Sequence, residues 1–243
     1  MLKTTGAAPA TTRTSQPVVM ALVATIVGLL VIITLGQTVL KPAAPEIPLR
    51  KFRLTTPPHS TSVPVSPVVS PDGRTVAYLS NGGIWLQSLG DMEPRVLKAD
   101  AQATILFWSP DGQFLGYVTG TRIMKISLNG GENQAVCDTR IDMGGGSGAC
   151  WADDGTIAFS RGDSGGVFRV PAVGGDPATW FKPDPSESDM HEPFVLPGGR
   201  GVLFAGHRHN GGTNNLVLWS KGRRKVLLEF GEQRVANPVY DPA

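Results

Sequence analysis

The chain has 243 residues, 17% of them charged, with a formal net charge of +2. Its Lys and Arg are scattered rather than striped, which excludes a nucleic-acid footprint. Thirty Gly and twenty Pro point to a turn-rich β protein, and two Cys are too few for a disulfide framework.

Residues 1–16 are rich in Thr, Ala and Ser, lack hydrophobic periodicity, and read as a short disordered tail. Residues 17–40, Pro17 to Leu40, carry no charge and are long enough to cross a bilayer as one helix. A cleaved signal peptide is the competing reading. The apolar run exceeds the usual ~7–15 residues, and Lys41-Pro42-Ala43-Ala44-Pro45 is a poor cleavage site, so an anchor is favoured. Basic residues lie on both sides of the run (Lys3 and Arg13; Lys41, Arg50, Lys51 and Arg53), which mildly opposes an outside C-terminus. Residues 41–67 hold seven prolines and read as a stiff spacer, with a lone strand expected at 51–56.

From residue 68 the chain repeats itself. Val69-Ser70-Pro71-Asp72-Gly73 returns as Trp108-Ser109-Pro110-Asp111-Gly112, then as Trp151-Ala152-Asp153-Asp154-Gly155 and Val195-Leu196-Pro197-Gly198-Gly199. From Pro71 to Pro110, Asp153 and Pro197 the steps are 39, 43 and 44 residues. That period, with several short strands in each, is the signature of a β-propeller. Pro sets φ for the first central turn position, Asp bonds nearby backbone N–H groups, and Gly takes the positive φ.

With a strand before each turn, apolar runs give four strands per unit. They fall at 75–79, 84–89 and 95–97; 114–118, 123–128 and 134–136; 156–159, 167–170 and 179–181; and 201–205, 216–219 and 225–228. Trp85, Met124 and Phe168 hold equivalent third-strand positions and are expected in the core between blades. Asn237-Pro238-Val239-Tyr240-Asp241-Pro242 starts a fifth unit. The expected fold is therefore all-β: an incomplete β-propeller over 68–243, with four four-stranded blades and one further strand, after a single transmembrane helix. A closed ring of four is the alternative to an open arc. The open arc would expose apolar faces at its ends and drive self-association.

Gly162-Asp163-Ser164-Gly165-Gly166 fits G-x-S-x-G, yet it aligns with the Ser80-Asn81-Gly82-Gly83 turn and no helix follows it. Ser164 is read as a turn residue, and no catalytic set is expected. His191-Glu192 with His207 and His209 offers zinc-type ligands, since His-x-His in a strand puts both rings on one face. No tight spacing supports a metal, so neither metal nor cofactor is expected. Gly144-Gly145-Gly146-Ser147-Gly148 lacks the Lys-Ser/Thr of a phosphate loop. Cys137 and Cys150, one at the end of an outermost strand and one in the next innermost strand, are expected as free, buried thiols. Loops leading into first strands and loops joining second to third strands share one rim. That rim carries the candidate binding residues Arg122, Arg140, Arg161, Asp163, Asp189, His191, His207 and His209.

Ser70-Pro71-Asp72-Gly73-Arg74-Thr75-Val76-Ala77-Tyr78 and Trp108-Ser109-Pro110-Asp111-Gly112-Gln113 resemble the WD40-like repeat of TolB-type propellers. Gly83-Ile84-Trp85-Leu86-Gln87-Ser88-Leu89 resembles propellers that follow the transmembrane helix of bacterial receptor-type serine/threonine protein kinases. The chain departs from those kinases in lacking a Gly-rich loop, a catalytic Asp loop and a metal-binding Asp motif. The resemblance implies a bacterial inner-membrane protein with an extracytoplasmic, non-catalytic propeller. Such a propeller would bind a protein or small ligand as a sensor or scaffold. The alternative is the propeller of a prolyl-oligopeptidase-type peptidase without its catalytic domain.

Overall fold

The computed structural model describes residues 16–39, 67–99, 101–139, 147–161, 165–209, 214–231, 233 and 237–240. The tail expected over 1–16, apart from Gln16, and the strand expected at 51–56 lie outside them. The chain divides into two units, residues 1–51 and 52–243.

In the first unit, α1 (Gln16–Val39) is a 24-residue helix with no acidic or basic residue. Its described side chains reach only to Leu30. Among the described residues no helix is long and apolar enough to cross a membrane. The expected span at 17–40 thus stands here as a helix and no more.

The second unit is all-β, four four-stranded antiparallel sheets in the blade arrangement of a β-propeller. Sheet one holds β1 (Val68–Val69), β2 (Thr75–Ser80), β3 (Gly83–Ser88) and β4 (Arg95–Lys98). Sheet two holds β5 (Ile105–Trp108), β6 (Phe114–Thr119), β7 (Arg122–Ser127) and β8 (Gln134–Asp138). Sheet three holds β9 (Gly148–Trp151), β10 (Thr156–Ser160), β11 (Val167–Pro171) and β12 (Ala178–Phe181). Sheet four holds β13 (Glu187–Val195), β14 (Val202–Arg208), β15 (Asn214–Ser220) and β16 (Arg223–Glu229).

The repeated turn explains why each first strand reverses where it does. Ser70 Oγ donates to Asp72 Oδ1 at 2.6 Å and accepts the Thr75 N–H at 2.9 Å, while the Arg74 N–H reaches Asp72 Oδ1 at 3.0 Å. Ser109, Asp111, Phe114 and Gln113 repeat those bonds at 2.6, 2.9 and 3.0 Å. Gly73 and Gly112 close the two turns at φ 69° and 66°, where a Cβ would be strained. In the fourth turn Gly198 replaces Asp, and its N–H bonds instead to Asp153 Oδ2 of the preceding turn at 2.7 Å.

Three apolar clusters join the sheets in series. Ala77, Ile84 and Leu86 of sheet one meet Leu115, Tyr117 and Ile126 of sheet two. Phe107, Val118 and Ile123 meet Phe159, Phe168 and Val170. Ala158, Val167 and Phe181 meet Met190, Phe204 and Val217. Phe181 also stacks on Trp219 with ring centroids 4.4 Å apart. Polar bonds reinforce the series: Trp108 Nε1 donates to the Val68 carbonyl at 3.1 Å, and Lys125 Nζ to the Ala172 carbonyl at 2.8 Å. Among the described residues no comparable packing joins sheet four to sheet one.

Met124 and Phe168 take their expected places in the core, each turned toward the preceding sheet. Trp85 differs. It pairs with Tyr78 on the face turned away from sheet two, stays half-buried, and donates its indole N–H to the Ser80 carbonyl at 3.0 Å. No preceding sheet exists among the described residues to cover it. The end faces are not bare throughout: Val76 and Tyr78 are buried on one, Leu203 and Ala205 on the other. Exposed apolar side chains on the strands are Val96 of β4 and Val226, Leu227 and Leu228 of β16, all outermost, and Val69 of β1. Residues 237–240 form no strand, but the Asn237 N–H donates to Glu192, and Arg200 lies 5.6 Å from the Tyr240 ring.

Candidate functional site

β13 and β14 pair in antiparallel fashion with Asp189 opposite His207, Met190 opposite Gly206 and His191 opposite Ala205. Side chains alternate along a strand, so Met190 and Phe204 turn into the cluster shared with sheet three. Asp189, His191 and His207 therefore project from the other face, away from sheet three. The three polar tips converge. His191 Nε2 is 3.0 Å from Asp189 Oδ1, His207 Nδ1 is 2.9 Å from the same oxygen, and the two ring nitrogens are 3.1 Å apart.

His191 is 8% exposed, and the side chains of Asp189 and His207 are about a quarter exposed, so the group opens to solvent on one side. One imidazole N–H serves the other ring's lone pair, the direction being set by the tautomers. Asp189 Oδ1 is buried with no hydrogen-bond donor aimed at it, although both nitrogens lie within 3.0 Å. A buried acceptor left in that state costs about 1–3 kcal/mol. Among the described residues this is the one place where three His, Cys, Asp or Glu side chains gather in this way.

Two of the three His residues considered as ligands are thus brought together, while His209 and Glu192 stand apart. His209 stays out because β14 ends at Arg208; it is exposed beyond the strand, its N–H on the Ser186 carbonyl at 3.3 Å. Glu192 also stays out. The register shifts between His191 and Phe194, Glu192 takes φ 50°, and its carboxylate turns to the Asn237 N–H. The third member is Asp189, legible as a rim residue but not as a partner of the two rings. Its i, i+2 spacing from His191 was the available signal.

The other rim residues do different work. Arg122 opens β7 and is exposed, near the Thr139 N–H bond to the Thr121 carbonyl at 2.6 Å. Arg161 lies over Phe168, its guanidinium carbon 3.6 Å from the ring centroid. Arg140, Asp163 and Ser164 lie outside the described residues, as does most of the glycine run at 144–148. Gly148 itself is described: a Cβ there would stand 2.4 Å from Glu192 Cα, so β9 and β13 touch backbone to backbone directly behind the cluster.

Cys137 and Cys150 are free, the first buried and the second half-buried. Burial pushes the Cys137 thiol up to about 11 and the Cys150 thiol up to about 12. Cys150 Sγ accepts the Val195 N–H at 3.3 Å and helps tie sheet three to sheet four. At the opposite end of the sheets, a cavity of about 580 Å³ lies between sheets one and two, lined by Thr75, Leu86, Ser88, Asp91, Arg95 and Leu128.

No family model and no curated protein matches the chain. Solved structures do. An oligogalacturonate lyase in complex with manganese is 15% identical over 68% of this chain and 52% of its own, with a TM-score of 0.52. Hydrazine synthase of Kuenenia stuttgartiensis is 11% identical over 66% of this chain and 48% of its own, with a TM-score of 0.53. A putative TolB from Agrobacterium tumefaciens is 18% identical over 69% of this chain and 81% of its own, but its TM-score of 0.40 is too low to carry an argument. The chain spans about half the length of the first two. At these identities the likeness is one of fold.

Proposed function

We propose that this protein is a membrane-anchored, non-catalytic propeller of the TolB type that binds a protein or small ligand at the rim carrying Asp189, His191 and His207. The observation that carries the anchor is the surface of α1. Met20, Leu22, Val23, Ile26, Val27, Leu29 and Leu30 are all exposed, and at 100° per residue they cover one half of the helix, with Ala21, Ala24, Thr25 and Gly28 on the other. An uncharged helix with so broad an exposed apolar face is favoured by an apolar surrounding. At 24 residues, α1 is about 36 Å long, against a hydrocarbon core of about 30 Å. The order of helix, proline-rich spacer and repeats resembles that of receptor-type kinases, which supports an extracytoplasmic, inner-membrane propeller acting as a sensor or scaffold. A ligand-reading role is supported by the strand-borne polar group at the rim, whose side chains are held by the β13–β14 register rather than by loops.

The test is fractionation of the full chain. It should stay with membranes through carbonate extraction, and a Val23→Lys, Leu29→Lys double variant should move to the soluble fraction. Release of the unaltered chain by carbonate would overturn the anchor. Protection of the propeller from protease added to spheroplasts would reverse its side.

A further inference from the structure

We propose that Asp189, His191 and His207 form a site for a divalent transition-metal ion, held on one triangular face with its remaining positions open. The donor set argues for the class: two imidazole nitrogens and one carboxylate suit first-row transition ions rather than calcium or magnesium, which take oxygen ligands. The triangle argues for the geometry. Its edges are 2.9, 3.0 and 3.1 Å. For metal–ligand bonds of about 2.1 Å, adjacent ligands stand about 3.0 Å apart at octahedral angles and about 3.4 Å apart at tetrahedral ones. Six-coordinate manganese, iron, cobalt or nickel fits better than tetrahedral zinc.

The protein without an ion leaves Asp189 Oδ1 buried with no donor aimed at it. A cation capping the triangle would satisfy that oxygen and both ring nitrogens at once. The three ligands come from two paired strands, so the register that builds sheet four also builds the site. Asp189 and His207 are partly exposed, which leaves a path for the ion and room for water or a ligand at the open positions. A bound ion would give the rim a means of grasping an anionic or chelating ligand. The site itself stands whether or not α1 enters a membrane.

The test is titration of the detergent-solubilised full chain with Co²⁺, followed by absorption and calorimetry. One equivalent should bind, with the weak d–d bands of octahedral cobalt. His207→Gln and Asp189→Asn should each weaken binding at least tenfold, while His209→Gln should leave it unchanged. Both altered side chains are partly exposed, and matching circular dichroism and melting curves will separate loss of ligand from loss of fold. Absence of saturable binding, or binding indifferent to His207→Gln, would overturn the site. The intense bands of tetrahedral cobalt would overturn its geometry.

Discussion

Asp111 and Asp189 are the same residue in opposite circumstances. At the turn end of sheet two, Asp111 takes the Ser109 hydroxyl at 2.6 Å and the Gln113 N–H at 3.0 Å, all from within five residues of chain. At the rim of sheet four, Asp189 brings a buried oxygen within 3.0 Å of two imidazoles from which it receives no aimed hydrogen. The first carboxylate is satisfied by the loop that carries it, so its work is structural. The second is arranged by strand register and left wanting, which is the mark of a group held for something else.

The largest way to break this contrast is to spoil the support behind the rim. Gly148→Ala would force a Cβ to within 2.4 Å of Glu192 Cα, and a backbone cannot yield as a side chain can. We expect a loss of about 3 kcal/mol from this overpacking, read as a lower urea midpoint of the full chain, together with loss of Co²⁺ binding.

A sharper comparison replaces the partners themselves. Ser109→Ala removes a hydroxyl that both feeds Asp111 and accepts the Phe114 N–H, and should cost about 1–2 kcal/mol. Asp189→Asn should be neutral or slightly stabilising in the absence of metal, because it removes a charge with no donor at its buried oxygen. Equal losses from the two changes, measured in the same denaturant series, would erase the distinction.

The thiols offer a weaker probe of the same packing. With Cys137 raised to about 11 and Cys150 to about 12, neither is a thiolate at pH 8, and an aromatic disulfide reagent should find both silent until urea unfolds the chain. Prompt reaction of one thiol in the native protein would show that its sheet opens.

The smallest effect is on pH. The Ser70 and Ser109 hydroxyls, followed by the Arg74 and Gln113 N–H groups, hold Asp72 and Asp111 below the ordinary carboxylate value. Their contribution is complete above that value and is lost as pH falls through the lowered one. The urea midpoint should therefore be level from pH 7 to 5 and decline below about pH 4, with a shallower decline in Asp111→Asn. Both groups are exposed, so solvent and salt keep the slope modest.

The turns were legible in the sequence because each is a local device. Ser, Asp and Gly act on neighbours within five residues, so a repeated string announces a repeated bend. The strands followed from the turns. The rim group was only half legible, since His191 meets His207 across a strand pair whose register depends on a bulge at Glu192 and on where β14 stops. No local pattern distinguishes His207, inside the strand, from His209 beyond it. Trp85 shows the same limit: its equivalence to Phe168 was readable, but not that no sheet among the described residues would stand before it.

The series of three apolar clusters joining four sheets also bears on cooperativity. Sheets two and three each share two of these clusters, while sheets one and four each share one. Where units touch only their neighbours, stability is a sum of nearest-neighbour terms, and melting starts where a neighbour is missing. Amide exchange should accordingly be slowest in β6 and β10 and faster in sheet one and in β16. The urea transition should be broader than a two-state domain of this size would show. A partner seated on either end sheet would add a neighbour term, making that transition steeper as well as later.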